Sequence, residues 1–503
     1  MNRGGGDIYY HFFATNIISN SGFLLQSDIY PIMHILLSIL NISLLNENEL
    51  VNIIIILFFL FYIIYLYIFG KILIGSKKGG IFISIFGIPL IFSFSYYAFY
   101  PFFYAILTIP LILFLYQKII STHIKGEFYI CLIFPLFFIV YCHPLITILL
   151  IITFLIFIIL EIWSRFKNST QYRKIIAINL ITILFIVFSF WIIHFMSLLK
   201  TLSNIIKALL GQYETITIFD YQIDIISKSD ASIWLIIDRY LKVYGPITIY
   251  FLISFLFVIY LIRNYYQKNK IIINDIYYII QFISSLLIGI AMIFSYFVIF
   301  EPIRALSYGI LFSTIICGIY FYRILISVNI EKQKIKYTLL FTLILSLITL
   351  SCFFNLYSSP WTGGANTAFT YKDKKGLDWI LDYKETEIPL LREDYTTQYP
   401  VYYYGLKGFK TITYLKYYRD IIPSNFGYQS NLTISKTFDY LPDNKVYMIT
   451  TEEMRLLPFA VPAERRHKIK QFYNIDFIRL KSDLNVNLIY SNDETEVLEI
   501  NVH

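Results

Sequence analysis

The first residues that could do chemistry lie near the start of the chain, where a run of three glycines precedes Asp7 and His11 follows. A carboxylate in this setting can act as a general base, or it can hold a divalent cation against a phosphate group. On a helix that begins at Asp7, the side chain of His11 would share the face of that carboxylate. The alternative is that Asp7 only caps the helix, which also explains the preceding glycines.

Two further histidines stand beside prolines. His34 follows Tyr30 and Pro31, and proline suits the first turn of a helix, so His34 either belongs to a second polar cluster or only marks a membrane interface. His143 lies between two apolar runs, directly before a proline. It places an ionisable side chain at the end of two predicted spans; the alternative is that it caps a tight helical hairpin.

Glu301 and Arg304, with the two residues between them, form the whole connection between two apolar runs. Arg304 is therefore expected at the membrane face with no bulky neighbours to shield it. A guanidinium group binds phosphate through two parallel hydrogen bonds and keeps its charge at any physiological pH. Arg304 is thus a candidate for binding the phosphate of a lipid-linked substrate. The alternative is a weak Glu301–Arg304 ion pair across the turn.

About ten apolar runs must position these residues. Each is about 20 residues long, which at about 1.5 Å per residue crosses a hydrocarbon core about 30 Å thick. The predicted spans are approximately 50–70, 81–98, 102–117, 128–142, 145–163, 175–199, 245–263, 275–300, 305–327 and 337–357.

The charges between the spans predict their orientation. One set of connections holds 16 Lys/Arg and 3 Asp/Glu, and it comprises 71–80, 118–127, 164–174, 263–275 and 323–336. The opposite connections, which include the first 49 residues, hold 7 Lys/Arg and 10 Asp/Glu. Because short cytoplasmic loops are enriched in Lys and Arg, the first set is predicted to be cytoplasmic. The first 49 residues and everything after the last span are then extracytoplasmic.

The composition excludes several classes of protein. A chain of 503 residues that is 57% hydrophobic, with a mean hydropathy of +0.64, is predicted to be a polytopic membrane protein and not a soluble enzyme. Residues 358–503 hold 18 Lys/Arg against 19 Asp/Glu, so the net positive charge of the chain belongs to the membrane part, and nucleic acid is not a predicted partner. No P-loop is present, which argues against ATP-driven transport by this chain alone.

Three regions are predicted. Residues 1–49 form an external segment with interfacial helices, since the run 31–45 is short for a span and is interrupted by polar residues. Residues 50–357 form the transmembrane domain. Residues 358–503 form an extracytoplasmic α+β domain, with a helix at 374–383 and strands at 445–450, 488–491 and 497–500.

The chain resembles the integral-membrane glycosyltransferases of the GT-C superfamily, which take a sugar from a polyprenyl-phosphate donor. Bacterial and archaeal members share a Gly-Asp…His…Tyr-Pro…His run, a first external loop with an essential Asp, many spans and often an external C-terminal domain. The residues that carry the resemblance are Gly6, Asp7, His11, Tyr30, Pro31 and His34, with the segments 142–147, 302–306 and 487–500.

The resemblance implies a GT-C-like fold of about ten transmembrane helices in the plasma membrane. It implies a hexosyltransferase type of enzyme in cell-envelope glycosylation, with a membrane lipid and a polyprenyl-phosphate-linked sugar as partners, and a glycan, lipid or protein as acceptor. Asp7 would be the catalytic base or a metal ligand, and Arg304 would bind the phosphate. His11, His34 and His143 would contact substrate, and a Mg²⁺ or Mn²⁺ ion would be held by Asp7 and Glu301.

The chain departs from the family in two ways. Family members carry a transmembrane helix before the Asp-bearing loop, and this chain is predicted to lack it. The Trp-Trp-Asp-Tyr-Gly signature of oligosaccharyltransferases is absent, and the segment Asp378–Tyr383 is not a substitute, which argues against a peptide acceptor.

Two other functions fit a polytopic chain. The first is a glycolipid or polysaccharide transporter or flippase without enzymatic activity, although few ionisable residues lie inside the spans and no inverted repeat is evident. The second is a structural anchor for the C-terminal domain, for which ten spans are far more than anchoring requires.

Overall fold

The computed structural model describes most of the chain. The described residues are 7–24, 28, 30–41, 47–92, 100–122, 126–168, 176–194, 207, 233–267, 273–293, 302–327, 330–355, 370–383, 388–392, 417–419, 422–430, 433–452, 454–455 and 472–502.

The chain divides into two compact units. The helical unit comprises Ser27–Met33 and Val51–Leu356. The mixed unit comprises Met1–Gln26, His34–Leu50 and Tyr357–His503.

Twelve helices precede the C-terminal region in the part of the chain that the structure describes. They are α1 (Asp7–Ser21), α2 (Pro31–Asn41), α3 (Glu47–Ile74), α4 (Lys77–Gly87), α5 (Pro101–Thr122), α6 (Gly126–Cys142), α7 (Pro144–Asn168), α8 (Ile176–Ile193), α9 (Ile233–Tyr266), α10 (Ile273–Ile293), α11 (Pro302–Ser327) and α12 (Glu331–Phe354). A 3₁₀ segment, Ile88–Phe92, continues α4. Proline at the start of α2, α5, α7 and α11 suits a first turn, where the missing N–H would have no partner.

Seven stretches within these helices are long and apolar enough to cross a membrane. They are Glu49–Ile74, Pro101–Ile120, Pro144–Ile162, Tyr240–Tyr266, Asp275–Met292, Arg304–Ile326 and Glu331–Phe354. Gly126–Cys142 and Ala177–Ile193 are apolar but shorter. The prediction of a mostly helical, multi-pass membrane protein is confirmed in these terms, whereas the count of ten spans stays a prediction. The predicted span 81–98 is helical as far as Phe92, and its last residues lie outside the described part.

Helix α2 is 11 residues long, which is too short to cross a bilayer. The sequence predicted a non-spanning helix here.

Glycines let three helices of the helical unit approach closely. A Cβ atom on Gly80 of α4 would lie 2.5 Å from the carbonyl oxygen of Tyr67 in α3. A Cβ atom on Gly318 of α11 would lie 2.5 Å from the Cα atom of Ile83 in α4. Backbones this close exclude any side chain, and such contacts drive helix association where no hydrophobic effect is available.

Buried polar groups join other helices of the same unit. The Thr153 hydroxyl of α7 donates to the side-chain oxygen of Gln281 in α10 at 3.1 Å, and it lies 2.8 Å from the Tyr308 hydroxyl of α11. Arg323 of α11 donates two parallel hydrogen bonds to the buried carboxylate of Asp275 in α10, at 2.5 and 2.8 Å. This forked geometry gives α10 and α11 one fixed register.

The C-terminal part of the mixed unit contains a five-stranded sheet in the order β2–β1–β3–β5–β4. Its strands are β1 (Leu390–Arg392), β2 (Tyr417–Arg419), β3 (Lys445–Thr451), β4 (Val486–Ser491) and β5 (Thr495–Asn501). Strand β1 is parallel to β2 and β3, and β5 is antiparallel to β3 and β4. Helices α13 (Tyr371–Tyr383), α14 (Ile434–Thr437) and α15 (Asn474–Ser482) accompany the sheet.

The core of this part is built from alternate residues of the central strands. Val446 and Met448 of β3 and Leu498 of β5 are buried together, and Phe477 of α15 packs against them. The predicted helix and the predicted strands in this region are confirmed, because each lies within α13, β3, β4 or β5.

Candidate functional site

Helix α1 is described from Asp7 onward and carries His11 one turn after it. The side chain of Asp7 lies outside the described part. His11 is buried, and the hydroxyl of Thr15 donates to its carbonyl oxygen at 2.8 Å.

The structure brings together two predicted site residues in the mixed unit. Nδ1 of His11 lies 2.7 Å from Nε2 of His34 on α2, so one imidazole donates a hydrogen bond to the other. Both side chains are buried. Burial, with a smaller contribution from His34, lowers the pKa of His11 well below its ordinary value. His11 is therefore neutral near pH 7, and the hydrogen bond to His34 offers it a route for proton exchange.

A second pair of predicted residues meets in the helical unit. His143 lies between α6 and α7, and Arg304 lies in the first turn of α11. Nη1 of Arg304 is 3.4 Å from Nε2 of His143, so the guanidinium donates and the imidazole accepts. Burial, and then the charge of Arg304, lowers the pKa of His143 well below its ordinary value. A neutral imidazole is the form that can accept this hydrogen bond.

Aromatic rings surround this pair. The ring of Tyr30 stacks on the imidazole of His143 with centroids 5.5 Å apart and an angle of 11°. The ring of Phe102 meets the same imidazole edge-on at 5.2 Å, and the guanidinium carbon of Arg304 lies 5.9 Å from the centroid of Phe102. We call Tyr30, Phe102, His143 and Arg304 the arginine cluster. Its rings fix the imidazole, and the imidazole fixes one edge of the guanidinium.

Sequence reasoning missed one residue that supports the arginine cluster. Asp28 is buried, and its Oδ1 accepts the backbone N–H of Tyr30 at 2.9 Å. This short-range turn precedes Pro31 and restrains the backbone of Tyr30. The signal was present as an Asp two residues before a Tyr-Pro pair.

An apolar groove of about 640 Å³ lies in the helical unit. Helices α3, α5 and α6 supply most of its lining, which comprises Ile32, Phe58, Phe61, Tyr65, Leu107, Thr108, Leu111, Phe134, Pro135, Phe137, Phe138 and Tyr141. Ile32 is two residues from Tyr30, and Tyr141 is two residues from His143. Two lining residues of the groove are thus close in sequence to members of the arginine cluster, although no member of that cluster lines the groove.

Asp7 and Glu301 are the two predicted metal ligands. Glu301 and the side chain of Asp7 lie outside the described part, and among the described residues no three His, Cys, Asp or Glu side chains are grouped to hold a metal ion. Two histidine nitrogens on one transition-metal ion each lie about 2.1 Å from it, on different sides of it. The 2.7 Å contact between His11 and His34 is instead a hydrogen bond, so this pair does not fit a metal centre as it stands.

Sequence comparisons find no family model and no curated protein that matches this chain. Among solved structures, the chain is similar to the Archaeoglobus fulgidus oligosaccharyltransferase crystallised with zinc and sulfate. The TM-score is 0.49 and the identity is 10%, over 90% of this chain and 65% of the other. The chain thus spans about two thirds of that protein's length.

Proposed function

We propose that this chain is a membrane glycosyltransferase that moves a sugar from a polyprenyl-phosphate donor to an extracytoplasmic acceptor. The observation that supports this best is the apolar groove, whose lining includes Ile32 and Tyr141, each two positions in sequence from a member of the arginine cluster. An isoprenoid chain needs apolar surface, and the phosphate at its end needs a permanent cation with donors in a fixed plane. Arg304 is such a cation, and His143 and Phe102 restrain it.

In the proposed reaction, an oxygen of an acceptor hydroxyl attacks the anomeric carbon of the donor sugar. The bond from that carbon to the phosphate oxygen breaks, and polyprenyl phosphate leaves. Asp7 takes the hydroxyl proton, and Arg304 stabilises the charge on the leaving phosphate. His11, His34, His143 and Glu301 are supporting groups, and hexosyl transfer is the proposed type. No step is assigned to a metal ion.

The role of Arg304 is tested by phosphate-dependent lipid binding. Purified protein in phosphatidylcholine nanodiscs is titrated with undecaprenyl phosphate and, separately, with undecaprenol. We expect Arg304→Gln to weaken binding of the phosphate by about 10- to 100-fold, because a charge-assisted hydrogen bond contributes about 1.5–3 kcal/mol. Binding of the uncharged alcohol should not change.

Two controls sharpen this test. Arg263→Gln removes an exposed arginine at the end of α9 and should leave both affinities unchanged. Phe138→Ser, in the groove, should weaken the phosphate and the alcohol together. Equal affinity of wild type and Arg304→Gln for the phosphate would contradict the proposed role.

The role of Asp7 is tested by transfer itself. Asp7→Asn keeps the size and hydrogen-bonding oxygen of the side chain but removes the basic carboxylate. We expect sugar transfer from lipid-linked donor to fall below detection in cells that express only this variant, while donor accumulates. Normal transfer by Asp7→Asn would rule out the assignment.

The alternative is a glycolipid or polysaccharide flippase, and the buried Asp275–Arg323 pair is the observation that favours it. The pair lies at the predicted cytoplasmic ends of two spans, and buried ionisable groups in membrane proteins often line a transport path. Deletion of the gene separates the two functions. Unused lipid-linked donor on the outer side indicates a transferase, whereas donor trapped on the cytoplasmic side indicates a flippase.

A further inference from the structure

Three aromatic side chains form a row on the C-terminal part of the mixed unit. Trp379 of α13 stacks on Tyr490 of β4, with ring centroids 4.9 Å apart and an angle of 24°. Tyr383, one turn further along α13, lies 5.3 Å from Trp379. We call Trp379, Tyr383 and Tyr490 the aromatic row. It is absent from the arginine cluster and from the apolar groove, so the proposed transfer reaction does not use it.

The aromatic row stays at the surface. Tyr383 is 71% exposed, and Trp379 and Tyr490 are half-buried. Full burial of a large apolar side chain is favourable. A solitary exposed tyrosine is nevertheless ordinary on a protein surface. Three adjoining rings that keep solvent contact are, in contrast, a feature of binding sites.

The scaffold holds the row in place. The amide nitrogen of Asn492 donates to the Tyr490 hydroxyl at 3.2 Å and to the carbonyl oxygen of Lys372 at 2.7 Å, which ties β4 to α13. A Cβ atom on Gly376 would lie 2.5 Å from Cγ2 of Thr495, so α13 packs tightly on β5. The Thr495 hydroxyl also donates to Asp373 at 2.8 Å. Rings fixed in this way lose little conformational entropy when a ligand binds.

A line of carboxylates runs beside the rings. Asp378 and Asp382 each precede one of the α13 aromatics, and they are one helical turn apart. Asp378 is half-buried and Asp382 is exposed. Residues four apart on a helix share a face, so the carboxylates and the rings form adjacent lines along α13.

We propose that the aromatic row, with Asp378 and Asp382, is a binding platform for a neutral oligosaccharide. The face of an aromatic ring is electron-rich and attracts the weakly positive C–H groups on one face of a pyranose. Carboxylates accept hydrogen bonds from sugar hydroxyls, which are donors. Ring faces beside acceptors at helical spacing therefore offer one hexose a surface for its C–H groups and acceptors for its hydroxyls. This platform is independent of the transferase proposal.

Glycan binding to the full-length protein tests this platform. Purified protein in phosphatidylcholine nanodiscs is applied to an array of neutral hexose and N-acetylhexosamine oligosaccharides, and the best glycan is then titrated in solution. We expect Tyr383→Ala to weaken that glycan by about fivefold to tenfold, since one aromatic contact is lost. Asp382→Asn should weaken it by a similar factor, and Tyr383→Phe should retain the wild-type affinity.

Three controls keep the outcome decisive. Tyr440→Ala removes a tyrosine of the same unit that is 62% exposed, and it should leave glycan binding unchanged. Asp7→Asn should also leave it unchanged, which separates this platform from the proposed catalytic base. Each variant is compared with wild type in thermal unfolding, and because Tyr383 and Asp382 are exposed, their variants are expected to fold.

Two results would overturn the proposal. The first is no binding of wild-type protein to any glycan of the array at millimolar concentration, or binding that Tyr383→Ala and Asp382→Asn leave unchanged. The second result would be contact of the aromatic row with the membrane, because aromatic residues are also enriched at lipid surfaces. Tyr383→Cys that reacts with a membrane-impermeant maleimide in detergent, but not in phosphatidylcholine nanodiscs, would show the row buried among headgroups.

Discussion

At the scale of single residues, two histidines of this protein are held neutral by burial, each beside a different partner. His11 is buried against another imidazole, whereas His143 is buried against a guanidinium that donates to it. In both cases burial disfavours the imidazolium form and is the main cause of the lowered pKa. A neutral His143 leaves Arg304 as the cationic member of its pair, which suits a phosphate-binding role.

Acid is expected to loosen helix α1. Above pH about 6.5, His11 is neutral in both the folded and the unfolded chain. Its titration then does not lower the free energy of unfolding. As the pH falls below that value, the unfolded chain takes up a proton that the folded chain refuses, because the folded-state pKa of His11 is lowered. Stability of this region should then fall by about 1.4 kcal/mol for each pH unit until the folded-state pKa is reached. Hydrogen exchange of α1 amides between pH 8 and pH 5 measures the effect.

Two variants test the assignment to this side chain. His11→Gln should remove most of the acid sensitivity of α1, since glutamine does not titrate. His194→Gln changes an exposed histidine at the end of α8, and the acid sensitivity of α1 should remain in this variant. Equal acid sensitivity in wild type and His11→Gln would show that another group is responsible.

At the scale of the elements, backbone proximity between α3, α4 and α11 depends on glycines. Gly80 and Gly318 face neighbouring backbone atoms, which cannot move aside as a flexible side chain can. Gly126 at the start of α6 has no atom within 4 Å of its would-be Cβ. Substitution of glycine by alanine should therefore lower stability at Gly80 and Gly318 but not at Gly126.

Gly80→Ala is expected to lower the thermal unfolding midpoint of the protein in detergent. A methyl group 2.5 Å from the Tyr67 carbonyl oxygen must push α4 away from α3, at a cost of about 1–3 kcal/mol. Gly126→Ala is the matched control and should be neutral or slightly stabilising, because alanine favours the helix. Midpoints that agree within error for the two variants would contradict the close contact.

At the scale of the whole molecule, the charge pattern of the connections predicts sidedness. The Lys/Arg-rich connections should face the cytoplasm, and residues 1–49 and 358–503 should both be extracytoplasmic. The proposed reaction depends on this, because Asp7 belongs to the first of these segments. The division into residues 1–49, 50–357 and 358–503 and the location in the plasma membrane remain predictions from the sequence.

Cysteine labelling in intact cells tests this topology. In a variant that lacks the four native cysteines, Ser21→Cys and Ser482→Cys should react with a membrane-impermeant maleimide, because both positions are exposed and predicted to be extracytoplasmic. Lys334→Cys, exposed on the predicted cytoplasmic side, should react only after the cells are opened. Protection of Ser21→Cys in intact cells would place the amino-terminal segment in the cytoplasm and remove the basis for Asp7 as an external base.

Local patterns of the sequence predicted most of the long apolar helices, the helix α13 and the strands β3, β4 and β5. The length of an apolar run, helical spacing and turn signals depend only on neighbours in the chain. The short strands β1 and β2 were not predicted, because three residues carry too little pattern and their parallel pairing joins distant segments.

Only the tertiary structure decided which candidate residues meet. His11 pairs with His34, His143 pairs with Arg304, and Asp275 pairs with Arg323, although 23, 161 and 48 residues separate them. Likewise, Trp379 meets Tyr490 only because α13 packs on the β4–β5 hairpin. The types and spacing of residues specify which chemistry a segment can supply. Contacts between remote segments follow from how helices and strands pack, and packing is a property of the folded chain that no local pattern contains.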